Sequence, residues 1–204
     1  MFYNILDKKR LAIIPALKEF KKDFYLAGGT GLALQLGHRD SIDFDFFSLK
    51  DFDTSQIYLK LKSIFENHSI QKIQDDKNTL TILLDKNIKL SFFTYRYKLI
   101  GKLLDESYFK IASIEDIACM KFAAITSRAT NKDYIDLYFI LQSNSLKDLL
   151  VSLKKKMPEL DTNLVLKSLI YFKDIVKERI KFKNNKNIDF KYVQEFFKKE
   201  VSKL

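Results

Sequence analysis

The chain is poor in the residues that interrupt or staple a fold. Among 204 residues there are one cysteine (Cys119), two prolines, five glycines and no tryptophan. A lone cysteine excludes an internal disulfide framework and a thiolate zinc cluster. So little Gly and Pro, beside 47% hydrophobic and 14% aromatic residues, excludes a collagen-like, low-complexity or disordered chain. No apolar run approaches about 18 residues, so no membrane-spanning helix is expected. The first residues, MFYNILDKKRLAII, carry acids and bases where a signal peptide needs a clean apolar stretch. The expectation is a cytoplasmic protein with no membrane partner, built as one domain or two small lobes.

Positive charge is abundant and unevenly placed. Thirty-six Lys/Arg stand against 26 Asp/Glu, a net +10. Residues 146–204 hold 15 basic and 8 acidic residues, net +7, which leaves the rest at +3. A basic C-terminal third suits a phosphate-rich partner, because each neutralised phosphate releases counterions. Lysines spread along helices equally describe a solvated face.

Apolar periodicity outlines the elements. Residues 4–23 have helical spacing (Ile5, Leu6, Leu11, Ile14, Leu17, Phe20), with Pro15 predicting a kink or a division into two short helices. Phe24–Ala27 reads as a strand stopped by Gly28-Gly29, and Thr30 as the cap of a helix ended by Gly37. Ser41 to Ser48 alternates, with Ile42, Phe44 and Phe46 against Asp43 and Asp45. A helix over 54–67 and strands over 79–84 and 88–95, joined by Asp85-Lys86-Asn87, follow. From a capping-box-like start at Ser113 the chain reads as helical almost throughout: a first long helix carrying Lys121, then 132–141, 146–156, 161–181 and 189–203, with 183–188 as a loop. The expected class is α+β: a small mixed sheet with helices over 1–110, then a helical lobe with a basic surface over 111–204.

The chemistry concentrates in LAGGTGLALQLGHRDSIDFDFFS, residues 26–48. Residues i and i+2 of a strand share a face, so Asp43 and Asp45 aim at one point. Two adjacent carboxylates are costly to keep ionised without a cation, and oxygen-only ligands favour Mg²⁺ or Mn²⁺ over zinc. Gly28 and Gly29 permit close backbone approach, and the N–H groups of a following helix start can cradle phosphate, with the Thr30 hydroxyl beside them. These are the parts of a metal-dependent phosphoryl or nucleotidyl transfer site. Gly-Gly alone is equally a turn, and the acid pair alone is equally the wet face of an edge strand. Their fixed short spacing joins them.

This block resembles the nucleotidyltransferase superfamily, and more closely the AbiEii/AbiGii toxin family of type IV-like toxin–antitoxin systems. The resemblance rests on Gly28-Gly29-Thr30, His38-Arg39 and Ser41-Ile-Asp43-Phe-Asp45, and on a second block, IEDIACMKFAAITSRATNKDYIDLYFI, with Lys121, Arg128, Asp133 and Asp136 at its functional positions. It implies a nucleotidyltransferase fold and transfer of a nucleoside monophosphate from an NTP to an acceptor. The family suggests the acceptor end of tRNA, and an antitoxin that silences the toxin. In that reading Asp43 and Asp45 hold Mg²⁺ (or Mn²⁺); Gly28, Gly29, Thr30 and Ser41 flank the nucleotide; Lys121 neutralises phosphate; Arg128 assists. Asp136 either orients Lys121 or acts as base, and Asp133 shares its neighbourhood. His38 and Arg39 either bind substrate or pack the turn. Many superfamily members carry a third carboxylate on a later strand, where Lys89-Leu-Ser91-Phe-Phe offers Ser91. Either two strand acids suffice, or Asp133 or Asp136 completes the cluster. Two rivals remain open: transfer to a protein or small-molecule hydroxyl, and a catalytically idle module that binds RNA or a partner.

Overall fold

A computed structural model describes residues 1–204. Its framework is a seven-stranded mixed sheet in the order β3-β4-β5-β2-β1-β7-β6. The strands are β1 (Tyr25–Leu26), β2 (Asp43–Ser48), β3 (Ile70–Asp76), β4 (Thr79–Leu84), β5 (Ile88–Thr94), β6 (Leu104–Asp105) and β7 (Lys110–Ile111). The central β2 runs parallel to β5 and antiparallel to β1. Its alternation sends Phe44, Phe46 and Ser48 into the interior and leaves Asp43, Asp45 and Phe47 half-buried on the other face.

Eight α-helices complete the fold: α1 (Lys8–Leu17), α2 (Gly28–Leu36), α3 (Thr54–Ile64), α4 (Ile114–Ser127), α5 (Asn131–Leu141), α6 (Leu146–Lys156), α7 (Thr162–Ile170) and α8 (Phe190–Val201). Seven of them, all but α2, begin at an Asp, Ser or Thr whose side chain accepts from the first turn: Asp7, Asp53, Ser113, Thr130, Ser145, Asp161 and Asp189. One hydrophobic cluster seals the sheet face bearing Phe44, Phe46 and Phe92 beneath Ile13, Ile14, Leu17 and Phe20 from the first helical segment and Leu61 and Phe65 from the next. A second cluster joins Tyr25, Ala27 and Leu32 to α4–α8, with Tyr134 meeting Phe172 at a tilt and Phe190 and Phe197 edge to face. No helix is long and apolar enough to cross a membrane.

Several expectations change. The helix expected over 4–23 is α1 with 3-10 turns at Tyr3–Ile5 and Lys18–Phe20, and Pro15 lies inside α1. α2 begins at Gly28, so Thr30 sits within its first turn and does not cap it. β3 was not anticipated: its residues IQKIQDD are exposed along almost their whole length, as befits an edge strand with no apolar face to bury. The two-residue strands β6 and β7 are also new and too short for periodicity to mark. The helix expected over 161–181 stops at Ile170. Residues 171–188 instead form an irregular strap, bridging Thr130 through Val176 and Arg39 through Phe182. Its Phe172, Ile175, Ile180 and Phe182 pack on the helical core, so tertiary burial overrides the helical period.

Candidate active site

The site forms where the β1–α2 corner, the open face of β2 and β5, and the α4–α5 corner converge. Gly28 has φ +61°, and a Cβ there would lie 2.9 Å from Asp45 Oδ2. A Cβ at Gly29 would lie 2.7 Å from Arg39 Nη2. The glycines therefore bring backbone directly against the acid strand. The N–H groups of the first α2 turn lack intrahelical acceptors, as at any helix start able to receive an anion. Thr30 acts below them: its hydroxyl donates to the Asp43 carbonyl, so Ser41 must donate the 2.7 Å bond that links Ser41 Oγ to Thr30 Oγ1. This stitches α2 to the start of β2.

Parallel pairing of β2 with β5 sets Asp43 opposite Lys89 and Asp45 opposite Ser91. Lys89 Nζ lies 2.9 Å from Asp43 Oδ2. Burial raises the Asp45 pKa; Lys89 opposes the rise and the neighbouring Asp43 carboxylate adds to it. Ser91 thus stands beside Asp45, at the place where a third strand carboxylate was considered.

Facing the acids is a buried polar cluster. Lys121 Nζ, from α4, is 2.7 Å from Asp133 Oδ1 and 2.6 Å from Asp136 Oδ2, both on α5. Arg39 donates from Nε and Nη2 to the two oxygens of Asp136, at 2.7 Å each. His38 Nε2 lies 2.7 Å from Asp136 Oδ1, and Thr130 Oγ1 donates to Asp133 Oδ2 at 2.9 Å. Burial works against charge on Lys121, but Asp136 and Asp133 outweigh it and raise its pKa. Burial likewise opposes ionised Asp136, yet Arg39, Lys121 and His38 hold its pKa well below the ordinary carboxylate range. Burial lowers the His38 pKa against the pull of Asp136, giving a neutral ring that donates from Nε2 and leaves Nδ1 without a partner.

A cleft of about 930 Å³ lies between the two groups. Gly28, Gly29, Arg39, Ser41, Asp43, Asp45, Lys121, Arg128 and Asp133 all line it. Thr30, His38 and Asp136 lie beneath its wall, each at most 1% exposed. Asp136 is fully buried with every oxygen engaged, so it is placed to hold Lys121 and the base role has no geometric support. The same holds for His38, which packs against Phe139 at 5.0 Å. Asp133 and Asp136 are also committed to Lys121, Arg39 and Thr130, so neither completes a carboxylate triad with the strand acids, and no group of three His, Cys, Asp or Glu side chains is placed to hold a metal. Sequence reasoning missed Lys89 and the strap residues Arg179 and Lys181, which also line the cleft. For Lys89 a signal existed: Lys89, Ser91 and Phe93 share one strand face. For the strap there was none, because its spacing imitates a helix.

The chain is similar to known proteins at every level. The family model described as "Nucleotidyl transferase AbiEii toxin, Type IV TA system" matches residues 15–196. The uncharacterized protein aq_aa25 of Aquifex aeolicus (strain VF5) is 41% identical over 188 residues, covering 88% of this chain and 86% of that protein. Among solved structures, JHP933 from Helicobacter pylori aligns with TM-score 0.58 at 20% identity, over 98% of this chain and 91% of its own. MenT4, the nucleotidyltransferase toxin Rv2826c of Mycobacterium tuberculosis H37Rv, aligns with TM-score 0.59 at 14% identity, over 95% and 82%. At such identities the two structures speak to the fold, while the family match spans most of the chain: this protein belongs to the AbiEii nucleotidyltransferase toxin family and is an NTP-dependent transferase.

Proposed function

We propose that the protein transfers a nucleoside monophosphate from an NTP, bound with magnesium or manganese, to the acceptor end of a tRNA in the cytoplasm, as a toxin restrained by a cognate antitoxin. One observation carries this reading: the acid pair and the Lys121 ammonium line a single cleft whose floor is the Gly28–Gly29 corner. The donor set fits a hard cation, since two carboxylates on one strand face, with water and phosphate oxygens, suit Mg²⁺. Asp43 and Asp45 would hold that ion, which when bound stabilises charge on the departing pyrophosphate.

The remaining roles belong to the chain. Gly28 and Gly29 seat the terminal phosphates on backbone N–H groups, with the Ser41 hydroxyl beside them. Lys121 spends two of its three donors on Asp133 and Asp136, so one remains for a phosphate oxygen. Arg39 and Asp136 fix where that ammonium points. Arg128, Arg179 and Lys181 line the cleft without an ion pair of their own, a surface suited to an acceptor strand with its phosphodiesters. In this division residues 1–110 supply the acid pair and the glycine corner, and residues 111–204 supply Lys121, Arg128, Arg179 and Lys181.

Incubating the protein with total RNA, Mg²⁺ and each labelled NTP tests the reading. Label is expected on RNA of tRNA size, and Asp45→Ala is expected to abolish it while keeping the wild-type circular dichroism spectrum. Absence of RNA labelling with all four NTPs overturns the proposal, and label on protein moves the acceptor class.

A further inference from the structure

Lys89 is the one cation bonded to the acid pair. Its ammonium is 2.9 Å from Asp43 Oδ2, and it is the strongest influence keeping Asp45 charged against burial. Lys121 also favours the charged form of Asp45, but more weakly. Lys121 is committed to Asp133 and Asp136, while Arg128 has no ion pair. The bond is also reversible in kind: the two side chains keep 41% and 40% of their surface, and a lysine head swings on a flexible four-carbon stem. A divalent ion bound by both carboxylates would share the Asp43 carboxylate with Lys89, and its charge would repel the ammonium from a few ångströms away. The anion that arrives in the same cleft is the triphosphate.

We propose that Lys89 is a displaceable internal counter-ion, holding the Asp43–Asp45 pair together in the empty cleft, competing with the divalent ion for Asp43, and passing to the nucleotide phosphates when that ion binds. The proposal rests on Asp43 and Asp45 being the metal-binding pair. It explains how two carboxylates without a third can stay poised: the ladder position beside Asp43 carries the opposite charge. It also makes metal and nucleotide cooperative, because the phosphates receive the ammonium that the metal expels.

Manganese binding to the full-length protein, followed by electron paramagnetic resonance of free Mn²⁺, tests this without catalysis. Titrations run with and without an NTP analogue that cannot be cleaved between its α and β phosphorus atoms. Lys89→Met is expected to bind Mn²⁺ about tenfold more tightly than wild type when nucleotide is absent, to bind the analogue more weakly, and to lose most of the tightening that the analogue produces. Lys89→Arg is expected to stay close to wild type. Lys181→Met removes an unpaired cation from the same cleft and is expected to change Mn²⁺ affinity by about twofold or less. Equal Mn²⁺ affinity in wild type and Lys89→Met, or a gain in nucleotide-free Mn²⁺ affinity in Lys181→Met as large as that in Lys89→Met, overturns the proposal. Failure of both wild type and Lys89→Met to bind Mn²⁺ even with the analogue overturns the metal reading itself. Melting curves check that each variant is folded, and Lys89→Gln replaces the methionine variant should that one not fold.

Discussion

The two charged groups that face each other across the cleft are built on opposite terms. The α4–α5 cluster is closed: Lys121, Arg39, Asp133 and Asp136 balance two positive against two negative charges, and the oxygens of Asp136 are bonded to three partners. The β2 pair is open: Asp43 and Asp45 repel each other, Asp43 keeps 40% of its side-chain surface, and one lysine serves both. A buried charge is tolerable only when paired and hydrogen-bonded, so the closed cluster belongs to the fold. Unsatisfied charge invites a ligand, which is the part the proposed function gives the open pair. The difference teaches which substitutions break the protein and which only silence it.

The largest expected effect separates Asp136 from Asp43. Asp136→Ala strands Lys121, Arg39 and the His38 donor in the interior and is expected to cost about 3–5 kcal/mol in unfolding free energy. Asp43→Ala removes one side of a solvent-screened pair and is expected to stay within about 1 kcal/mol of wild type. Both are expected to lose transfer activity. Urea denaturation with matched m-values decides the point, and comparable losses in stability would erase the distinction between a closed and an open group.

A smaller effect tests the open pair from the other side. Burial and Asp43 raise the folded-state pKa of Asp45, so its charge is less welcome in the folded protein than in the unfolded chain. Removing that charge is expected to stabilise: Asp45→Asn gains up to about 1 kcal/mol at pH 7 while losing activity. The sign in pH follows. As pH falls through the raised folded pKa of Asp45, the wild type takes up its proton preferentially when folded, and the advantage of Asp45→Asn shrinks. Thermal melts of the two proteins at a series of pH values from 7 downward measure that convergence. An asparagine variant that melts below wild type at pH 7 would mean the pair is already satisfied.

How much of this was readable beforehand follows the same divide between local and distant contacts. The β1–α2–β2 block was legible because its parts lie within 25 residues and each has a local signature: a glycine corner, a short helix ended by Gly37, and an alternating strand. The acid pair and the corner are therefore legible as candidates from local spacing alone. Thr30 was misread as a cap because capping preference is local, whereas its bond to the Asp43 carbonyl joins residues 13 apart. Lys89 shares a strand face with Ser91, but that it meets Asp43 depends on the β2–β5 register, set by a parallel crossover containing α3, β3 and β4 that no pattern within either strand reports. The strap escaped for a stronger reason. Its backbone bonds run to His38, Asp40, Ala129 and Asn131, more than 40 residues away in sequence, and these long-range partners win over a helical spacing of apolar residues. Arg179 and Lys181 reach the cleft only because that contest goes against the helix.

The smallest expected effect concerns His38, which belongs to the closed cluster yet carries its one loose end. The ring is fully buried, Nε2 donates to Asp136, and Nδ1 has no partner. A second proton on the ring would add a positive charge where Arg39 and Lys121 already balance the two aspartates, and burial together with these cations makes it unwelcome, the attraction of Asp136 notwithstanding. The folded pKa is lowered from the ordinary 6.5. Above that value both states are neutral at this residue and it contributes nothing to the pH dependence. Below it the unfolded chain gains a proton the folded protein resists, so stability falls with pH, by at most about 1.4 kcal/mol per pH unit, until the folded pKa is passed. Asp136 acts in a separate, more acidic window, because its pKa lies well below 3.8 and its contribution persists above that value. His38→Gln keeps a donor near Nε2 but cannot titrate, and it is expected to flatten the decline just below pH 6.5 while leaving the more acidic one in place. Urea midpoints for the two proteins measured between pH 7 and pH 5 give the slope directly. Identical slopes would show that the loose end at Nδ1 is met by water, and the cluster would then be less closed than its bonded atoms indicate.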